Sequence, residues 1–227
     1  MLYALTNPSM LRAAPISLAL ALLAAAPAAA QQFGLRALEF QGFGASLYQV
    51  VPARSEATTG VHLNAYLGRL APRVRVSPSM TFWATELRDQ EVSHVRQRVE
   101  DLCEAGGNPC PGLDLGEVDI SDLSIDLDAR YLVGGPLRVQ PYVGLGAGLH
   151  LVNGGGDFID NTFVEEILDA ITPGLNAMAG VEFPIGRLRI HGEARAVLAG
   201  GVNWFGAGVG GSIVLPERRA PAAEVRP

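Results

Sequence analysis

Histidines, a close pair of aspartates and two cysteines are the residues of this chain whose types could support chemistry. His62, His150 and His191 invite a Ser–His–carboxylate reading, in which an acid orients an imidazole that deprotonates a hydroxyl. No serine follows any of them in a recognisable motif. The nucleophile cannot be placed, so neither catalysis nor a cofactor is expected. Asp126 and Asp128 stand two apart, which puts both carboxylates on one face of a strand. Such a pair can share a proton or hold a cation. The charge balance described below favours salt bridges to Arg130 and Arg138 instead. Cys103 and Cys110 enclose Glu-Ala-Gly-Gly-Asn-Pro, a run of turn formers, and in an exported chain they read as a disulfide closing a small loop. A metal site is not expected there, because only His94 lies nearby. Gly154-Gly155-Gly156 lacks a following Lys-Ser/Thr and is loop material rather than a phosphate cradle.

The elements that carry these residues must explain an odd composition. The chain has 227 residues, net charge −6 and a mean hydropathy of +0.22 despite 18% charged residues. The acidic balance and the lack of a basic cluster exclude nucleic acid as an expected partner. At 48% hydrophobic residues the chain is not disordered. Past the N-terminal segment, the longest run free of strongly polar side chains is Pro141 to Leu149, far short of the roughly 20 residues a spanning helix needs. Arg12, the apolar Ile16 to Ala26 and the Ala28-Ala29-Ala30 site describe a secretory signal peptide over residues 1–30. No Cys follows that site to carry a lipid anchor.

Beyond it, period two dominates. Leu188 to Leu198 sets Leu188, Ile190, Ala194, Ala196 and Leu198 against Arg189, His191, Glu193 and Arg195. Leu123 to Val133 opposes Leu123, Ile125, Leu127, Ala129 and Tyr131 to Ser124, Asp126, Asp128 and Arg130. Leu137 to Leu151 and Trp204 to Leu215 alternate apolar residues with glycine. Leu175 to Phe183, Val61 to Leu67, Val74 to Ala84 and a less regular Leu38 to Val50 complete eight segments. Pro78 removes a ladder donor, so a distortion is expected there. Gly68 to Arg73, Gly134 to Pro136 and Pro184 to Arg187 read as short turns. The alternate connections Val51 to Gly60, Arg88 to Asp119 and Val152 to Gly174 are longer, with Gly200 to Asn203 the exception. Within them, Gln90 to Leu102 and Asn161 to Ile171 have helical apolar spacing, the second stopped by Pro173.

Charge matching fixes which face is inside. The polar rows hold Glu39, Asp126, Asp128, Glu182 and Glu193 against Arg75, Arg130, Arg138, Arg189 and Arg195, with His191 among them. Equal numbers of acids and bases indicate a neutralised lumen rather than a solvated face, with the small glycines making room for long arginines. The other rows are almost free of charge, as a lipid face requires, since an arginine at mid-bilayer costs about 2–4 kcal/mol. Tyr48, Phe82, Tyr131, Phe183 and Phe205 are the candidates for an aromatic girdle.

On the repeat Pro141-Tyr142-Val143-Gly144-Leu145-Gly146-Ala147-Gly148 and the ending Gly210-Gly211-Ser212-Ile213-Val214-Leu215, the chain resembles the eight-stranded outer-membrane β-barrels of the OmpA-type transmembrane class. It departs in lacking a terminal aromatic and in carrying a tail, and no peptidoglycan-binding domain is expected after the barrel. The resemblance implies an all-β, antiparallel up-and-down transmembrane barrel over residues 31–215, with a disordered tail over 216–227. It further implies residence in outer-membrane lipid, insertion by the barrel-assembly machinery, and a structural, interaction or narrow-pore role without enzymatic activity. No feature of the extracellular loops identifies a ligand. The rival is an exported soluble barrel of lipocalin type, which would turn the apolar rows inward around a ligand. A lipid-modifying barrel enzyme is the third reading.

Overall fold

In a computed structural model the described residues are 38–105, 116–134, 138–155 and 170–215. They form β1 (Leu38–Pro52), β2 (Thr58–Ala71), β3 (Val74–Glu86), α1 (Asp89–Ala105), β4 (Asp119–Leu132), β5 (Gln140–Gly155), β6 (Ala170–Ile185), β7 (Leu188–Ala199) and β8 (Trp204–Val214). Each strand pairs antiparallel with its neighbour in sequence, and β1 closes on β8 to complete an eight-stranded barrel. Closure leaves no strand edge unpaired.

The strands run beyond the segments that apolar alternation marks out. β4 begins at Asp119 and β5 reaches Gly155, where the outward positions are Asp119, Ser121 and Asn153. Alternation of apolar with polar residues marks only the part of a strand whose outward row is apolar. The ladder itself continues into the polar rims. The connections Pro72–Arg73, 133–139 and Gly186–Arg187 lie at one end, and the two longest, 87–118 and 156–169, lie at the other with 53–57 and 200–203.

Gln90 to Leu102 lies within α1, whose first turn carries Asp89 and Glu91 at the positive end of the helix dipole. Val92 is buried beneath it. The Arg88 carbonyl accepts the amides of Glu91 and Val92, while its guanidinium donates to the carbonyls of Pro52 and Ala53, tying the helix start to the β1–β2 loop. The second expected helix lies largely outside the described residues, but its end does not hold. Ile171 and Pro173 belong to β6, paired with Leu151 and Leu149. Pro173 lies on the outward row near the strand's start, a place a sheet tolerates proline better than its centre. Among the described residues no helix is long and apolar enough to cross a membrane.

The ladder weakens around Pro78. β2 and β3 pair from Val61↔Phe82 to Asn64↔Ser79 and resume only at Arg69↔Arg75, with irregularities between. The β3–β4 ladder runs through the same stretch unbroken, Pro78 opposite Leu127. Amide hydrogen exchange should therefore be faster for residues 65–68 and 76–77 than for the β4–β5 seam between Ile125 and Arg130. Uniform protection across both seams would contradict the gap.

Candidate functional site

The lumen is where the chain gathers its titratable side chains. Strand alternation delivers Ser46 and Tyr48 from β1, Asp126, Asp128 and Arg130 from β4, Tyr142 from β5, Asn176 and Glu182 from β6, and His191, Glu193 and Arg195 from β7. All of them are buried. Glu193 is the hub. One carboxylate oxygen accepts the Tyr48 hydroxyl at 2.5 Å and Arg195 Nη2 at 3.1 Å. The other accepts the Tyr142 hydroxyl at 2.8 Å and lies 3.1 Å from Arg130 Nη2, an ion pair rather than an aligned hydrogen bond. The Arg130 guanidinium lies over the Tyr142 ring, 5.2 Å from its centroid. Arg195 also donates to Asp128 at 2.7 Å, and Ser79 donates to the same oxygen at 3.0 Å. Asp126 is held by neutral donors, Ser124 at 2.9 Å and the Asn176 amide at 3.1 Å.

Glycine makes this density of side chains physically admissible. A Cβ at Gly146 would collide with the Asp128 carboxylate and the Asn176 amide, and one at Gly208 would stand 2.8 Å from the Tyr48 ring. Bare backbone on β5 and β8 is therefore the floor on which the long side chains of β1, β4 and β6 lie.

Two further layers close the ends. Toward the short turns, Glu182 is clamped between Arg75 at 2.9 Å and Arg189 at 2.5 Å. Toward the long loops, Tyr48, Val50, Trp83, Val152, Val197, Ala199, Val202 and Trp204 form a buried apolar cluster. Between that cluster and the hub, His150 Nδ1 meets Asp122 at 2.9 Å and His62 Nδ1 meets Thr81 at 2.9 Å. His191 Nε2 lies 2.8 Å from the Ser46 hydroxyl, but its Nδ1 has no partner among the described residues. A Ser–His contact without an orienting acid lacks the third member of a triad.

Of the charges expected in the lumen, Arg75, Asp126, Asp128, Arg130, Glu182, Arg189, Glu193 and Arg195 meet there, with His191 beside them. Glu39 and Arg138 do not. The lumenal row of β1 is Gly42, Gly44, Ser46, Tyr48 and Val50, the opposite parity to Glu39, and a register irregularity separates Leu38 from Gly42. Glu39 is exposed. Arg138 precedes β5 and is exposed at the short-turn end. The expected bridges from Asp126 and Asp128 to Arg130 and Arg138 are replaced by cross-barrel contacts. A narrow lumen brings opposite strands within side-chain reach, although Glu193 and Arg195, two apart on β7, also pair. Tyr48 is likewise in the lumen and not in the aromatic girdle, while Phe82, Tyr131, Phe183 and Phe205 are exposed. Cys103 lies in α1, but Cys110, and with it the expected disulfide, falls outside the described residues. So do residues 1–30 and 216–227.

Tyr142, Asn176 and Ser79 share lumenal rows with the charges and could be found from parity alone. Tyr48 could not, because the two rows of β1, Ser46-Tyr48-Val50 and Ala45-Leu47-Gln49, are similar in polarity.

No family model matches the chain, and no curated protein matches it in sequence. Solved structures resemble it in shape. Neisserial surface protein A shares 13% identity at a TM-score of 0.50, covering 77% of this chain and 95% of its own. The N-terminal β-barrel domain of Pseudomonas aeruginosa OprF shares 12% identity at 0.43, covering 78% and 98%. The attachment invasion locus protein Ail of Yersinia pestis shares 13% at 0.41, covering 78% and 97%. The likeness to the Neisserial protein is one of fold, that of the eight-stranded outer-membrane β-barrels.

Removing one partner of a buried charge pair typically costs about 3–5 kcal/mol, because the other charge stays buried and uncompensated. Glu193→Gln keeps the shape of the hub while stranding Arg130, so it should lower unfolding stability by about that amount in urea titrations of the refolded barrel. An unchanged midpoint would show that the hub is not a structural keystone.

Proposed function

We propose that the protein is an integral outer-membrane barrel with a closed lumen, serving a structural or interaction role and catalysing no reaction. The observation that carries this reading is the outward face. Leu47, Leu63, Phe82, Leu127, Leu145, Leu149, Leu175, Leu198 and Val209 all point away from the lumen and are exposed, Leu145 at 69%. Among the described residues, the strand charges exposed outside the lumen sit at the rims, Glu39 and Arg69 at one end and Glu86 and Asp119 at the other. An apolar belt of this extent in water would be an aggregation surface, and in hydrocarbon it is simply solvated. The shortest strand, β8, has 11 residues, enough for a tilted strand that needs about 9–11 to cross.

The lumen supports the closed reading. Arg195 reaches Asp128 and Arg130 reaches Glu193 across the bore, and an apolar cluster containing Trp83 and Trp204 fills the loop end. A lipocalin-type binder would turn its apolar rows inward and leave a cavity, whereas here the inward rows carry the charges and the tryptophans. The signal peptide at 1–30 would deliver the chain to the assembly machinery, and the lipid of the outer membrane would be its first partner. The helix-bearing loop between β3 and β4 is the surface most available for an extracellular partner.

Two measurements test the proposal. Leu145→Arg, at the middle of the belt, should reduce insertion into vesicles by about 2–4 kcal/mol, read from heat-modifiable gel migration, while Thr59→Arg at the loop rim should not. Equal insertion of both variants would contradict a lipid-facing belt. In planar bilayers the inserted barrel should show no steady channel conductance, and a large stable conductance would sink the closed lumen.

A further inference from the structure

The two rims of the barrel differ in charge, and the difference is concentrated at one groove. At the short-turn end Arg69, Arg73, Arg138 and Arg187 are exposed, and Glu39 is the exposed acid among the described residues. The loop end carries exposed Glu56, Glu86, Asp89, Glu117 and Asp119 against exposed Arg54 and Arg98. Arg69 has a specific position. Beyond a register irregularity it stands opposite Arg75 near the end of β2, exposed at the short-turn rim. Arg73 follows in the β2–β3 turn and donates to the Tyr131 hydroxyl, on the outward row of β4, at 3.4 Å. Arg69, Pro72, Arg73, Leu132, Val133 and Gln140 line a groove of about 360 Å³ between the β2–β3 and β4–β5 turns. Among the described residues neither arginine has a carboxylate partner.

The geometry points to this groove as a docking site for the phosphate headgroup of an anionic phospholipid in the leaflet that meets the short turns. The inference rests on the membrane reading above. The Arg73 guanidinium, held beside the outward Tyr131 at the edge of the apolar belt, sits at headgroup depth, where lipid phosphates are the abundant anions. Its planar fork suits a phosphate in a way an ammonium does not. Pro72 and Val133 offer apolar contact beside the charge, and the Tyr131 hydroxyl already fixes one arginine toward the outer face. The acidic loop rim repels the same headgroups, so the site also favours one orientation of the barrel.

The test uses the full mature chain refolded into nanodiscs of mixed phosphatidylglycerol and phosphatidylcholine, with lipids retained by the barrel read by native mass spectrometry. The wild-type barrel should retain phosphatidylglycerol preferentially. Arg69→Gln and Arg73→Gln should each weaken that preference roughly fivefold, the effect of about one basic residue at an anionic surface. Arg54→Gln and Arg98→Gln, each of which removes the same single charge from the loop end, should leave it unchanged. Loss of preference in the loop-end variants as well would reduce the effect to net charge and overturn the site. So would full displacement of phosphatidylglycerol by inorganic phosphate, which would make a free anion the ligand. Heat-modifiable migration is recorded on every sample. A barrel that inserts but shows no preference overturns this inference alone, whereas one that fails to insert overturns the membrane reading with it.

Discussion

The pairing of β1 with β8 is the constraint from which the rest of the molecule follows. A sheet that faces hydrocarbon has no water to satisfy an open edge, so it must close on itself. Closure with eight strands leaves a bore just wide enough for side chains to fill. Because strand side chains alternate strictly, every residue committed to lipid commits its neighbour to that bore. The two populations are then sorted by opposite rules. Outward positions must carry no charge, and inward positions must fill space and satisfy one another.

The inward rule explains why the lumen is organised around Glu193. Its two oxygens take up two tyrosine hydroxyls and face two arginines, all buried. Few other groups accept so many donors from strands as distant as β1, β4 and β5. Pairing alone does not make such a network stabilising, since desolvation of both charges offsets much of the attraction. What it supplies is register. A one-residue slip of β7 would turn Glu193 and Arg195 into lipid and bring Ala194 inside, which the outward rule forbids. The apolar cluster around Trp83 and Trp204 fills the loop end with groups that need few partners, and so places the charged layer at the centre of the bore.

Much of this was legible in the sequence, and the exceptions have identifiable causes. The eight strands, their antiparallel order and the inward direction of the charges follow from period two, because the outward rows stay apolar along most of every strand. Strand ends were less legible, as at Asp119 and Gly155, because the medium stops demanding apolar residues before the ladder stops. Parity failed at Glu39, where β1 is irregular and both of its rows are mildly apolar. Partners inside the lumen were the least legible. Arg195 meets Asp128 from a strand 67 residues away, and nothing local in either segment encodes which of several buried carboxylates it will choose. The apolar cap of the lumen was hidden for the same reason, since Trp83, Val152 and Val197 come from three separate strands.

The central claim is that one row of each strand is dissolved in lipid while the other is sealed from both lipid and water. Site-directed spin labelling along β5 in lipid vesicles tests it most directly. Labels at Val143, Leu145, Ala147 and Leu149 should collide with dissolved oxygen and be shielded from a water-soluble relaxant, most strongly near Leu145. A label at Asn153, outward but at the loop rim, should show the reverse. If the four belt positions proved as open to the aqueous relaxant as Asn153, the apolar face would be meeting water, and the barrel would not be a membrane protein.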